Sequence, residues 1–146
     1  MTSSKDKVSL YDERIDRKKD DGILYCDEWS EIRNGELTIT WYYFPIATSL
    51  KIKTSNIKGI YYRVQNLSND IGVTKNWGMS LSPCWWACDM KRGFRSNAAE
   101  RGFYNVAIDC GEGTLKGFTT NNIHGFLGVL RPQIGFDCII RNEFPW

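Results

Sequence analysis

The sequence predicts a mostly β domain with one C-terminal helix, and three observations carry that expectation. From Gly22 onward, short runs rich in β-branched and aromatic residues alternate with turn residues. Asn34-Gly35 and Gly111-Glu112-Gly113 stand where hairpins would reverse the chain. Near the end, Ile123, Phe126, Leu127 and Leu130 recur at i, i+3, i+4 and i+7, the spacing of one helix face.

Residues 1–21 interleave lysines and arginines with aspartates and a glutamate so that their charges cancel, and few apolar residues anchor them. They read as a charged, partly disordered leader. The folded domain is expected over residues 22–131. A first strand covers 23–32, and Asn34-Gly35 supplies the positive φ angles of a two-residue hairpin turn. A second strand covers 36–44, with Leu37, Ile39, Trp41 and Tyr43 on one face and Tyr42 and Phe44 on the other. Pro45 ends it. Alternation resumes in a third strand at Leu50–Lys53, turns at Thr54–Asn56 and continues in a fourth over 57–65. A polar loop follows at 66–76, then one or two short strands within 77–90, where Pro83 interrupts the pattern. Residues 91–101 form a second loop. Strands at 103–110 and 114–119 flank the glycine turn, and the first carries Phe103, Asn105, Ala107 and Asp109 on one face. Thr120 or Asn121 caps the helix, and Pro132 ends it. Residues 132–146 contain Phe136, Ile139, Ile140, Phe144 and Trp146, an apolar tail expected to pack back as a strand or hook.

Composition narrows the function classes. With 42% hydrophobic and 14% aromatic residues in 146, one core can form without a metal or a disulfide framework. The 19 basic and 17 acidic residues leave a net charge of +2, far from the one-signed field that attracts nucleic acid, so no nucleic-acid partner is expected. No run approaches the roughly 20 apolar residues of a membrane span, and residues 1–21 lack an apolar signal core. The expected location is the cytoplasm, with the nucleus open. Five cysteines are an odd number, which points to reduced thiols.

Roughly seven strands in hairpin order followed by one amphipathic helix is a layout that resembles the pleckstrin-homology (PH) superfold. Trp41-Tyr42-Tyr43-Phe44-Pro45, Leu50-Lys51-Ile52, Ile57-Lys58-Gly59-Ile60, Trp85-Trp86 and Ala107-Ile108-Asp109-Cys110-Gly111 are similar to small PH-like proteins of the bacterial-PH type. The resemblance implies a bent antiparallel β-sandwich or barrel capped by the helix. It also implies a binding module for phosphoinositides, peptides or partner proteins, with no catalytic residues to carry over. The family's usual headgroup signature is basic residues on the first hairpin, but that hairpin here offers Glu31, Arg33 and Glu36, so the usual phosphoinositide pocket is not expected.

Side-chain chemistry points the same way. The only histidine, His124, falls on the helix away from any cysteine motif, so no thiol nucleophile is nominated. Cys84 and Cys88 enclose Trp85-Trp86-Ala87 rather than a knuckle turn, and with Cys110 and His124 they make a poor zinc set. Gly111-Glu112-Gly113 lacks the Lys-Ser or Lys-Thr of a phosphate loop. No catalytic residue, metal or cofactor is therefore expected. Candidate binding residues are the basic sets Lys51, Lys53, Lys58 and Lys91, Arg92, Arg95, the second extended by Arg101, and the tryptophans Trp77, Trp85 and Trp86. At most one of Trp85 and Trp86 faces the core, and the other could anchor a peptide or a homodimer. A protein or peptide is the expected partner, with weak, salt-sensitive contact to anionic lipid as a secondary one. An aromatic-lined barrel holding a small apolar ligand or lipid is the alternative, and a thiol enzyme the third.

Overall fold

The structure is a computed structural model that describes residues 22–146; the leader expected at 1–21 lies outside the described residues. Four strands, β1 (Ile23–Cys26), β2 (Ser30–Arg33), β3 (Glu36–Ile39) and β4 (Leu50–Lys53), form an antiparallel meander. Then come β5 (Gly59–Val64), a one-turn helix α1 (Leu67–Asp70), β6 (Gly78–Met79), β7 (Cys84–Trp86), β8 (Tyr104–Asp109), β9 (Leu115–Thr120), the helix α2 (Ile123–Leu130) and β10 (Ile139–Arg141). The later strands form a second sheet in the order β10-β5-β8-β9-β7-β6. No ladder joins the two sheets among the described residues, so there is no closed barrel. Nor is the second sheet wholly antiparallel as expected, because β10 runs parallel to β5 and β7 parallel to β9.

One core fills the space between the sheets. Ile32, Leu37, Ile39 and Ile52 of the meander meet Ile60, Val106, Ile108 and Phe118 of the second sheet. Ile123, Phe126, Leu127 and Leu130, the predicted helix face, are all buried against them. Phe126 sits edge-on to Tyr25 of β1 at 5.7 Å and lies 5.5 Å from Phe118 of β9. The helix cap is Asn122 rather than Thr120 or Asn121: its Oδ1 accepts from the Gly125 N–H at 3.0 Å, while Thr120 still belongs to β9.

Two predicted strands are shorter than expected, each for a local reason. Residues 23–32 break at Asp27, whose Oδ1 accepts from the backbone N–H of Trp29 at 2.8 Å and of Ser30 at 2.9 Å. A side chain that takes its neighbours' backbone donors turns the chain instead of extending the ladder. Residues 36–44 stop at Ile39. The Thr40 N–H turns to the Trp29 carbonyl, and Trp41 adopts φ +52°. That left-handed residue reverses the alternation, so Tyr42 is buried while Trp41 and Tyr43, expected on the same face as Leu37 and Ile39, are exposed.

The far face of the second sheet is also covered. Trp86, Cys84, Ala107 and Leu115 form a smaller cluster there, closed by Phe144 of the tail. Gly117 makes this possible, because a Cβ at that position would lie 2.4 Å from Trp86 Cε3. In the tail, β10 pairs with β5 and Phe144 lies edge-on to Trp86 at 6.1 Å. Phe136 does not join it and stands fully exposed. Among the described residues, no helix is long and apolar enough to cross a membrane.

Leu127 reaches this core from α2, and truncating a buried leucine typically costs about 2–5 kcal/mol. Leu127→Ala should therefore lower the unfolding free energy by that amount, read as a lower urea midpoint at unchanged slope, and an unchanged midpoint would show that α2 does not close the core.

Candidate functional site

Between β5 and β8 the chain makes a long excursion across the outer face of the second sheet. Its strands are too short to hold it, and a buried polar network does so instead. The Arg92 side chain, 2% exposed, runs inward over the Trp86 ring. Its Nε donates to Asn105 Oδ1 of β8, and one Nη donates to Thr119 Oγ1 of β9 and to the Ala87 carbonyl. The other Nη donates to the carbonyls of Lys75 and Asn76. Burial lowers the Arg92 pKa to about 10, opposed by the Asp89 charge, so the group stays charged at neutral pH. Asp70 completes the inner end: its Oδ2 accepts from the Asn66 N–H and from Asn105 Nδ2. Burial pushes its carboxyl above the usual range.

Asp89 and Arg95 form the outer end of the network and the floor of a cleft. Arg95 Nη1 and Nη2 donate to the two Asp89 oxygens at 2.6 and 2.9 Å, and both side chains are nearly buried. Thr119 Oγ1 adds a third donor to the carboxylate at 2.6 Å. The Arg95 guanidinium lies 4.2 Å from the Phe103 ring centre and 5.4 Å from that of Trp29, within cation–π range. Burial alone would raise the Asp89 pKa, but the Arg95 bond, the Arg92 charge and Thr119 outweigh it and hold the carboxyl below its ordinary value.

Above this floor opens a cleft of about 850 Å³. Trp41 forms one lip and Phe94 stands on the excursion, 58% and 77% exposed. Lys91 and Arg101 lie at the mouth, and Glu28 is the acid among the exposed lining residues. Arg101 rests over Phe103 at 5.0 Å, and Lys91 has no side-chain partner among the described residues. Trp41 is pinned by its own carbonyl, which accepts from the Cys88 N–H at 2.8 Å. The next carbonyl, that of Tyr42, accepts from the indole N–H groups of both Trp77 and Trp85, at 3.1 and 2.9 Å. Phe44 stacks edge-on to Trp77 at 5.0 Å, which extends the aromatic lip away from the cleft.

The predicted binding residues separate into groups. Lys91 and Arg95 line the cleft, but Arg95 is committed to Asp89, and Arg92 is an interior group rather than part of a surface patch. Lys51, Lys53 and Lys58 are exposed elsewhere and do not line the cleft, with Lys51 4.0 Å from Glu36. Trp86 is the fully buried member of its pair, in the smaller cluster on the far face of the second sheet, while Trp85 packs half-buried against the main core and, with the half-buried Trp77, supports the lip. Sequence reasoning missed Trp41 and Phe94. The signal for Trp41 was the run of four aromatics before Pro45, too many to bury on both faces of one strand.

No family model, curated protein or solved structure matches the chain.

Cys88 faces the cleft, but burial raises its thiol pKa, the reverse of an activated nucleophile. His124 is exposed on α2 and does not line the cleft. Among the described residues, no cluster of ligating side chains suits a metal ion.

The folded pKa of Asp89 lies below its unfolded value of about 4, so its contribution to stability is complete above that pH and fades as pH falls through the folded value. Asp89→Asn leaves the Arg95 charge buried without its counter-ion, which should cost about 3–5 kcal/mol at neutral pH and less in acid. Urea unfolding across the acid range checks both, and a pH-independent difference from the wild type would refute the ionised pair.

Proposed function

We propose that this chain is a non-catalytic binding module of PH-like architecture whose partner is a peptide or protein segment held in the cleft beside Trp41. The strand order supports the architecture: a four-strand meander, then β5, β8 and β9 as neighbours, then a helix packed on both sheets, with the 66–103 excursion inserted between β5 and β8. The observation that carries the function is Trp41. A bulky residue in the left-handed region costs roughly 1–2 kcal/mol, and here the conformation holds an exposed indole at the lip of the cleft. The same reversal buries Tyr42 and lets the Trp41 carbonyl take the Cys88 N–H, but neither requires an indole at position 41, where glycine adopts this φ without cost, and strained positions cluster at binding sites. Tryptophan is also the residue most enriched at interface hot spots.

The other readings have less support. The first hairpin pairs Arg33 with Glu31 at 3.2 Å and carries Glu36 beside them, a poor site for a multiply charged headgroup. An apolar-ligand barrel lacks support because the cleft is open and its lining is mixed with charged groups. A reducing cytosolic setting fits five cysteines with no disulfide among the described residues.

Trp41→Gly separates the fold from the function. Glycine relieves the positive φ, so stability should hold or rise by up to about 1 kcal/mol in urea unfolding. Loss of a tryptophan that acts as a hot spot should weaken peptide capture by about thirtyfold, the equivalent of about 2 kcal/mol. Selection of a phage-displayed library of random linear peptides on the wild type and the variant tests this. The proposal predicts enrichment on the wild type alone, and it fails if the wild type enriches nothing or if Trp41→Gly enriches equally.

A further inference from the structure

The distribution of charge around the cleft limits what a bound peptide can carry. Three bases, Lys91, Arg95 and Arg101, and two acids, Glu28 and Asp89, line it. Arg95 and Asp89 neutralise each other at the floor through two short hydrogen bonds, and the carboxylate is further satisfied by Thr119. That leaves the floor electrically closed. An incoming carboxylate there would meet Asp89, and an incoming cation would meet Arg95. The charges open to a ligand are at the mouth, where Lys91 is exposed without a partner among the described residues and Arg101 is held on the Phe103 face. Glu28 stands at the mouth on the turn between β1 and β2, whereas both cations belong to the excursion. The potential across the opening is therefore asymmetric: positive along the excursion, negative at the β1–β2 turn.

The apolar part of the lining is placed differently. Trp41, Phe94 and Met90 are all exposed, and Trp29 and Phe103 back the floor. Apolar surfaces of this kind take an aromatic or large aliphatic side chain, and the open cleft of about 850 Å³ has room for one together with its flanking residues.

We propose, resting on the reading of the cleft as a peptide site, that the partner is an acidic segment containing an aromatic residue. The aromatic side chain packs between Trp41 and Phe94, and flanking carboxylates pair with Lys91 and Arg101. Charges at a rim act mainly on encounter rate and on salt dependence, while the buried anchor governs dissociation. The two kinds of contact therefore leave separate kinetic signatures.

The test uses the peptides enriched from the random library on the wild-type protein. They should contain aspartate or glutamate beside an aromatic residue. Lys91→Glu should slow their association about tenfold at low salt, with little change in dissociation, and should remove most of the fall in association rate between low and high salt. Arg101→Gln should act in the same direction, and Lys91→Glu keeps the test intact if the loss of the Phe103 contact disturbs the loop. A peptide with its acids replaced by lysines should bind Lys91→Glu faster than it binds the wild type. Enriched peptides that are neutral or basic, lose binding on Trp41→Gly and ignore Lys91→Glu would overturn the acidic assignment while leaving the peptide site standing. No enrichment at all, or binding of phosphatidylserine vesicles through Lys91 in its place, would overturn both.

Discussion

The caged guanidinium of Arg92 is the contact on which the outer half of the molecule depends. Its nitrogens reach five acceptors, two on the side chains of β8 and β9 and three on backbone carbonyls of the excursion. Only a planar fork with five N–H donors can do this, since a lysine ammonium has three donors at a single point. The excursion has little other regular structure to fix it: β6 pairs two residues with β7, and β7 pairs three with β9. Burying a charge is costly unless its hydrogen bonds are made, and here each donor group has a partner. The polar residues Gln65, Asn105 and Thr119 on the outer face of the sheet follow from the same requirement, because each supplies an acceptor to Arg92, Arg95 or their neighbours.

From that anchor the cleft is assembled before any ligand arrives. Asp89 and Arg95 extend the network outward to the floor. The backbone just before them, at Cys88, holds the carbonyl of Trp41, and the indoles of Trp77 and Trp85 saturate the next carbonyl. Lip and floor are thus both referred to one segment, 77–95, itself tied to the sheet by Arg92. A strained Trp41 can persist only because its neighbours over-determine it. Under the proposed function the gain is preorganisation: an indole already fixed at the lip loses little freedom when a peptide packs on it.

What the sequence revealed and what it hid divide along one physical line. The Asn34-Gly35 hairpin, β4, β5 and the buried face of α2 depend on periods and turn residues that are local, and each could be read directly. The break at Asp27 was local too, but an aspartate inside an apolar run gives no sign that its carboxylate will take two backbone donors. The parallel pairing of β10 on β5, and the full burial of Trp86 on the far face of the second sheet, rest on distant partners. For Trp86 that partner is the missing side chain of Gly117, which leaves room for the indole ring. The cleft was the least legible feature, since its walls come from the β1–β2 turn, the loop after β3 and the excursion.

The three cations Lys91, Arg92 and Arg95 show why a basic cluster in sequence need not be a positive patch on a surface. Asp89 begins a tight turn in which its Oδ1 accepts from the Lys91 N–H at 3.1 Å and its carbonyl from the Arg92 N–H at 3.1 Å. That turn leaves the Lys91 side chain exposed and sends Arg92 into the sheet. The chain then brings Arg95 back onto the carboxylate that started the turn. One aspartate therefore assigns three neighbouring charges to the mouth, the interior and the floor. The Arg92 charge is absorbed by protein dipoles and the Arg95 charge by Asp89 itself, so neither adds much field at the opening. Of these three, only Lys91 stays exposed with no side-chain partner among the described residues, so the field at the opening is set by Lys91 and Arg101 on the excursion and by Glu28 opposite them rather than by the density of basic residues in the segment.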